Sequence, residues 1–132
     1  MNVLIGIPCY GGAVQAECMM SLIQLNQLLN LKRIEHTISA HSDSLVTRVR
    51  NHFANMAAFD SDAKQNRFTH LLQIDADSRF QPADILRMLE LDRPIVGLPY
   101  ALQLRILGWS IGAGPIIPSA STTLYNADLL EG

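Results

Sequence analysis

The stretch "HLLQIDADSRF", residues 70–80, joins an apolar run to two closely spaced carboxylates. A mostly apolar run, Leu71 to Ile74, leads directly into two carboxylates, Asp75 and Asp77, which one alanine separates. A short continuous apolar run is typical of a strand that is buried on both faces. Because burying an unpaired carboxylate is costly, such groups sit at a strand end, meet a partner or hold a metal ion. The stretch therefore predicts a buried strand that ends in a polar loop.

Strand-like and helix-like segments alternate on both sides of this stretch. Apolar runs and period-two alternation predict further strands. Apolar residues at steps of three and four predict helices between them. The predicted strands are "NVLIGIP", "KRIEHTIS", "THLLQID" and "RPIVGLPY". The first predicted helix covers residues 13–30, and its inward residues are Val14, Cys18, Leu22, Leu25 and Leu29. The second ends near Phe59 and has Asp43 or Ser44 as its N-cap; its inward residues are Leu45, Val49, Phe53 and Met56. The third is "QPADILRMLELD", with Pro82 at its first position and Asp84 in its first turn.

This alternation predicts a single compact α/β domain in which helices cover both faces of a mostly parallel sheet. Ligands of such sheets bind at the carboxyl ends of the strands. The loops predicted there are "PCYGG", "AHSDS", "DADS" and "PY". We therefore expect a binding site where these four loops meet.

Composition narrows the classes of function. The chain has 132 residues, of which 48% are hydrophobic, and its net charge is −2. This supports a folded core and gives no basic surface for nucleic acid. The amino terminus lacks the basic region of a signal peptide. Two cysteines, Cys9 and Cys18, are expected to stay reduced, so we expect a cytoplasmic protein.

The last part of the chain, residues 101–132, has a different composition. It contains no charged residue from Ile106 to Ala127, but Pro115, Pro118 and three glycines interrupt it. These breaks favour short strands and turns over a membrane-spanning helix. We therefore divide the chain into an α/β core, 1–100, and an uncharged segment, 101–132, that packs on the core or on a partner chain. Its apolar surface, including Trp109, predicts a homo-oligomer.

The pair Asp75 and Asp77 has two interpretations that the spacing alone leaves open. A turn after the strand can bring both carboxylates to one ion, and such oxygen ligands suit Mg²⁺ or Mn²⁺. Alternatively, Asp77 or Ser78 satisfies backbone N–H groups of a structural turn.

The order of motifs resembles the GT-A-fold nucleotide-diphospho-sugar glycosyltransferases, in particular compact bacterial and phage-type members. The resemblance covers about residues 1–100 and is carried by "VLIGIP" with "CYGG", "RVRN", "LLQIDADSRFQPADI" and "RPIVGLPY". It implies that the D-x-D motif, Asp75 and Asp77, binds the divalent cation, Mn²⁺ or Mg²⁺, and the donor diphosphate. It also implies that Pro8, Cys9 and Tyr10 hold the nucleoside, with Tyr10 stacking on the base. From the residues alone, Tyr10 is equally well a partly buried core tyrosine.

The predicted second helix carries a polar stripe, Ser44, Arg48, Asn51 and Asn55, opposite its apolar face. The resemblance implies an R-x-x-N or RN pair on this helix near the donor site, with Arg48 approaching a phosphate and Asn51 approaching a strand end. It gives Asp43 a looser match to the family's base-reading acid. The residues alone predict a solvated helix face.

The resemblance thus implies a glycosyltransferase-like protein that binds a nucleotide-diphospho-sugar donor, with hexosyl transfer to an unknown acceptor. Beyond Tyr100 the acids are Asp128 and Glu131, so these are the candidate catalytic bases. Because a family-like acceptor region is not recognisable there, we expect reduced or no transfer. A non-catalytic nucleotide-binding or assembly module is the alternative. A phosphohydrolase of the haloacid dehalogenase type also has a D-x-D motif, but on its first strand.

Overall fold

The first strand is buried along its whole length, since all seven of its residues are buried. The computed structural model describes residues 1–101, 105–106, 109–110 and 118–130, and the side chains of 1–98, 122–127 and 130. In chain order the elements are β1 (Asn2–Pro8), a 3₁₀ turn (Tyr10–Gly12), α1 (Ala16–Leu31), β2 (Glu35–His41), α2 (Val46–Phe59), β3 (His70–Ile74), α3 (Pro82–Glu90), β4 (Ile95–Ala101), β5 (Arg105–Ile106), β6 (Trp109–Ser110), β7 (Pro118–Asn126) and a 3₁₀ turn (Ala127–Leu130).

One five-stranded sheet has the order β2-β1-β3-β7-β4, and β5 pairs with β6 separately. β1 is parallel to β2 and to β3, whereas β7 is antiparallel to both β3 and β4. The sheet is therefore mixed, and the expected mostly parallel character is met only around β1. The prediction of one small α/β domain is confirmed.

The alternation of side chains along β1 separates two cores. Val3, Ile5 and Ile7 pack with buried residues of α1 and α3 on one face. Leu4 packs with Val49 and Phe53 of α2 on the other. Helices thus cover both faces of the sheet, as predicted.

Helix boundaries differ from the prediction at two points. Helix α1 begins at Ala16, so Val14 precedes it in a loop. The N-cap of α2 is Leu45, which is 51% exposed and not inward-facing, rather than Asp43 or Ser44. The Asp43 carboxylate instead accepts the Leu45 N–H, which closes a turn just before the helix.

The uncharged segment contributes a strand to the sheet. β7 lies between β3 and β4, and its Leu124 joins the core with β1 and α1. Residues 118–126 of this segment therefore belong to the same sheet as the strands of the core. Among the described residues, no helix is long and apolar enough to cross a membrane.

Candidate functional site

A cleft of about 490 Å³ lies at the carboxyl ends of β1, β2 and β3. Three of the four loops expected to form the site line it. The fourth, Pro99 and Tyr100, lies within β4, and its side chains are outside the described set. The lining residues are Pro8, Cys9, Tyr10, Ala13, Val14, Gln15, Asp43, Ser44, Val46, Val49, Arg50, Asp75, Ala76 and Asp77.

The loop after β1 turns sharply because of two glycines. Gly11 and Gly12 have φ angles of 65° and 73°, a region that side chains other than glycine rarely adopt. The turn leaves Tyr10 82% exposed, so the interpretation of Tyr10 as a partly buried core residue is wrong. An exposed ring on a fixed turn is available for stacking on a ligand.

The loop after β2 is held by Asp43. Its Oδ1 accepts the Leu45 N–H and the Ser44 hydroxyl, and both its oxygens accept Arg48 Nη1, at 3.3 and 3.2 Å. The Leu45 N–H, together with the Arg48 guanidinium, lowers the pKa of this carboxyl. Asp43 is therefore a stable anion that both shapes its loop and lines the cleft.

The turn after β3 presents the two other aspartates. The Ser78 N–H donates to the Asp75 carbonyl at 3.0 Å, and the Gln15 N–H donates to the Ala76 carbonyl at 2.9 Å. The backbone thus closes the turn without help from a side-chain cap. Asp77 is exposed and makes no side-chain hydrogen bond to the described residues, so the structural-turn interpretation leaves its carboxylate unexplained.

Arg50 is the cleft residue that the sequence interpretation missed. Its Nη2 lies 3.1 Å from Asp75 Oδ1. The signal was available, since Arg50 lies on the same helical stripe as Val46 and Phe53, at steps of four and three.

The polar stripe chosen from the sequence lies outside the cleft lining, apart from Ser44. Arg48 pairs with Asp43 and its side chain is 64% exposed. Asn51 and Asn55 are exposed, which matches the solvated-face interpretation. His41 stacks on His52, with ring centroids 4.1 Å apart.

The candidate bases fall elsewhere. The N–H of Ala127, beside Asp128, donates to the Thr69 carbonyl just before β3. Six residues along a strand, about 20 Å, separate Thr69 from Asp75. The backbone of Asp128 is therefore at the opposite end of the sheet from the cleft. Glu131 lies outside the described residues.

The two aspartates on the turn fit a hard divalent cation. Asp77 and Oδ2 of Asp75 have no hydrogen-bond partner within the described residues, and both residues line the cleft. No cluster of three or more His, Cys, Asp or Glu ligands occurs in the part of the chain that the structure describes. Mg²⁺ commonly binds through one or two carboxylates together with substrate phosphates and water, so two are sufficient.

The cysteines are free and buried. Burial raises the pKa of the Cys9 thiol, and its S–H donates to the Ile7 carbonyl at 3.3 Å. Burial is also the main cause that raises the pKa of Cys18, with a smaller contribution from nearby Asp77. Neither is a ready nucleophile, and Cys9 lines the cleft as a small packing residue.

Comparison with known proteins adds no identity. No protein-family model matches the chain, and no curated protein matches it either.

Proposed function

We propose that this protein binds a nucleotide-diphospho-sugar together with Mg²⁺ or Mn²⁺, as a GT-A-like glycosyltransferase domain. The observation that carries the proposal is the cleft, which brings Tyr10, Asp43, Asp75 and Asp77 to the carboxyl ends of adjacent strands. Each of these residues is also a candidate ligand contact on sequence grounds. Their meeting in one cavity supports a common ligand.

The charges of the cleft support a role for a metal ion. Three lining residues are aspartates and one, Arg50, is basic. A diphosphate alone would meet net negative charge there. A divalent cation on Asp75 and Asp77 would reverse this repulsion and, during transfer, would stabilise the departing diphosphate.

The arrangement of strands suggests where the parts of the ligand bind. β1 lies between β2 and β3, so the loops of Asp43 and Asp75 flank that of Tyr10. The nucleoside would bind between Tyr10 and Asp43, with its base on the tyrosine ring. The diphosphate would bind towards the β3 turn. The first turn of α2, which includes Val46 and has no side-chain cap, adds the positive end of a helix dipole.

A thermal-shift panel tests this proposal. UDP, GDP and CDP, with their sugars, are each added with Mn²⁺, with Mg²⁺ or with EDTA. At least one nucleotide should raise the melting temperature in the presence of metal and not in EDTA. Equal stabilisation in EDTA would exclude the metal role, and no stabilisation by any nucleotide would exclude the binding role.

A second candidate is a non-catalytic nucleotide-binding or assembly module of the same fold. The observation that favours it is the position of Asp128 at the end of the sheet remote from the cleft. Under this alternative the donor binds with its metal but is not transferred. Both candidates predict the same binding panel and differ in turnover.

A further inference from the structure

Arg50 and Asp75 form an ion pair inside the cleft. Arg50 projects from α2, and its Nη2 donates to Asp75 Oδ1 at 3.1 Å. Both side chains are partly open to solvent, at 49% and 32% exposure. Both also line the cavity. The guanidinium is therefore the cation that faces Asp75 in this structure.

This pair is built more loosely than its neighbour. Arg48 reaches both oxygens of Asp43, and Ser44 and Leu45 reinforce that carboxylate. Arg50 makes a single hydrogen bond, to one oxygen of Asp75. A partly exposed pair of this kind contributes little to stability. It can therefore exchange partners without disturbing the fold.

We propose that Arg50 is a positioning residue that couples cation binding to diphosphate binding. This inference rests on the proposed function and concerns a residue of the "RVRN" motif to which the resemblance assigned no role of its own. In the free cleft, Arg50 holds Asp75. When Asp75 turns to a divalent cation, Arg50 releases it and pairs with phosphate oxygens of the nucleotide, for which a guanidinium is well shaped.

The exchange makes the two ligands cooperative. A cation that binds alone, through Asp77 and Oδ2 of Asp75, draws Asp75 away from Arg50 and leaves the guanidinium next to a positive ion. With a diphosphate present, Arg50 gains an anionic partner instead. Each ligand should therefore strengthen the binding of the other by the same factor, since coupling is reciprocal.

Removal of Arg50 should strengthen the binding of Mn²⁺ alone and weaken the coupling between Mn²⁺ and the nucleotide. In Arg50→Gln, the competitor for Asp75 is gone, so Mn²⁺ alone should bind more tightly, by about twofold to fivefold, the range that a partly exposed ion pair allows. The factor by which a nucleotide strengthens Mn²⁺ binding should fall by about tenfold, within the usual range of such couplings. Arg50→Lys should keep part of the coupling, because the positive charge remains but the planar guanidinium, which can donate two parallel hydrogen bonds to a phosphate, is lost.

The experiment follows free Mn²⁺ by electron paramagnetic resonance during titrations of the full chain. Each protein is titrated with and without the one of UDP, GDP and CDP that stabilises it most. The matched control is Arg87→Gln, which removes the same charge from an exposed site in the last turn of α3. Arg87→Gln should behave as wild type in both titrations. Circular dichroism verifies that each variant is folded.

Two results would overturn the inference, and they are distinguishable. In the first, wild type binds Mn²⁺ and nucleotide cooperatively, but Arg50→Gln shows the same coupling, or binds Mn²⁺ alone more weakly than wild type does. The role of Arg50 is then wrong, while the proposed function stands. If no protein binds Mn²⁺ with or without nucleotide, the proposed function itself fails.

Discussion

At the scale of single residues, two aspartates on one turn have different surroundings. Asp75 is partly covered and paired with Arg50, whereas Asp77 is exposed and makes no side-chain hydrogen bond to the described residues. An exposed carboxylate on a tight turn contributes little to folding. Its charge at the cleft is therefore available to the metal ion proposed above.

The first prediction concerns these two residues. Asp75→Asn and Asp77→Asn should each lower the apparent affinity for Mn²⁺ in the presence of nucleotide by at least about tenfold, since even indirect partners of a metal cost 10–100-fold. The amide keeps the size of the side chain and removes its charge. Calorimetric titration measures the effect.

The control for this prediction is Asp84→Asn. Asp84 is an exposed acid in the first turn of α3, so it offers the same charge change in a helix-dipole role. Unchanged Mn²⁺ binding in the Asp77→Asn variant would remove Asp77 from the site.

The positions of single residues show which members of the candidate site could be identified from the sequence. Asp75, Asp77 and Tyr10 follow predicted strands, and their loops are the ones that line the cleft. Arg48 and Arg50 are two residues apart in "RVRN", and only the rotation of α2 against the sheet decides which one enters the cleft. The order of motifs identified the helix but not which of its sides faces the cleft. The apolar stripe through Val46 and Phe53 indicates that side.

At the scale of elements, β1 and α2 pack so closely that one glycine is required. A Cβ at Gly6 would lie 2.6 Å from Cγ of Phe53, whose side chain is fully buried. This contact sets the distance between the helix and the sheet. The contact thereby also determines how far Arg50, one helical turn away, lies from the sheet.

The second prediction follows from this contact. Gly6→Ala should lower the free energy of unfolding by about 1–3 kcal/mol through overpacking. Adding Phe53→Leu should recover part of that loss, because the two substitutions touch each other. Urea denaturation of both single variants and the double variant gives the coupling. Strictly additive effects would show that the two side chains do not compete for the same space.

The third prediction concerns β3 and pH. Burial, as the main cause, lowers the pKa of His70, against the opposing charge of Asp92. Below the ordinary histidine pKa of about 6.5, the unfolded chain binds a proton that the folded chain does not. The free energy of unfolding should therefore fall as pH drops from 7.5 towards 5.5.

Urea denaturation across that pH range tests the prediction, with His70→Gln as the matched variant. The glutamine cannot titrate, so its stability should depend less steeply on pH than that of wild type. Identical slopes in the two proteins would assign the pH dependence to other groups.

At the scale of the whole molecule, the order of elements up to β4 was predictable from periodicity, whereas the pairing was not. β7 enters between β3 and β4 from a segment rich in glycine and proline, in which no period-two pattern identified a strand. Its antiparallel direction makes the sheet mixed. It also carries the end of the chain away from the cleft, a consequence that only the tertiary structure reveals.

The fourth prediction is weak or absent sugar transfer by the chain alone. An inverting transfer needs a base at the acceptor, and the loss of such a base costs a factor of about 10²–10⁴. The backbone of Asp128 is remote from the cleft, so Asp128→Asn should not change the residual turnover or donor hydrolysis. Glu131→Gln is tested alongside. Chromatographic assay of a donor with an acceptor panel measures this, and robust transfer by wild type would contradict it.

The fifth prediction is self-association. β2 is an edge of the sheet, and its Ile38 is 42% exposed. Proteins usually cover such edges, and a second copy of this chain is one way to do so. Light scattering at micromolar concentration should report a dimer or larger species, and a monomer throughout would exclude the idea.

A calorimetric titration of nucleoside diphosphate into the protein, at fixed Mn²⁺ and in EDTA, tests whether the cleft binds a diphosphate through a cation. UDP, GDP and CDP are compared, with the Asp77→Asn variant beside wild type. A cleft that binds the diphosphate through a cation predicts saturable binding by wild type with Mn²⁺, and loss of most of that binding in EDTA and in the variant. Binding of equal strength in all three conditions, or no binding in any of them, would show that the cleft does not bind a diphosphate through a cation.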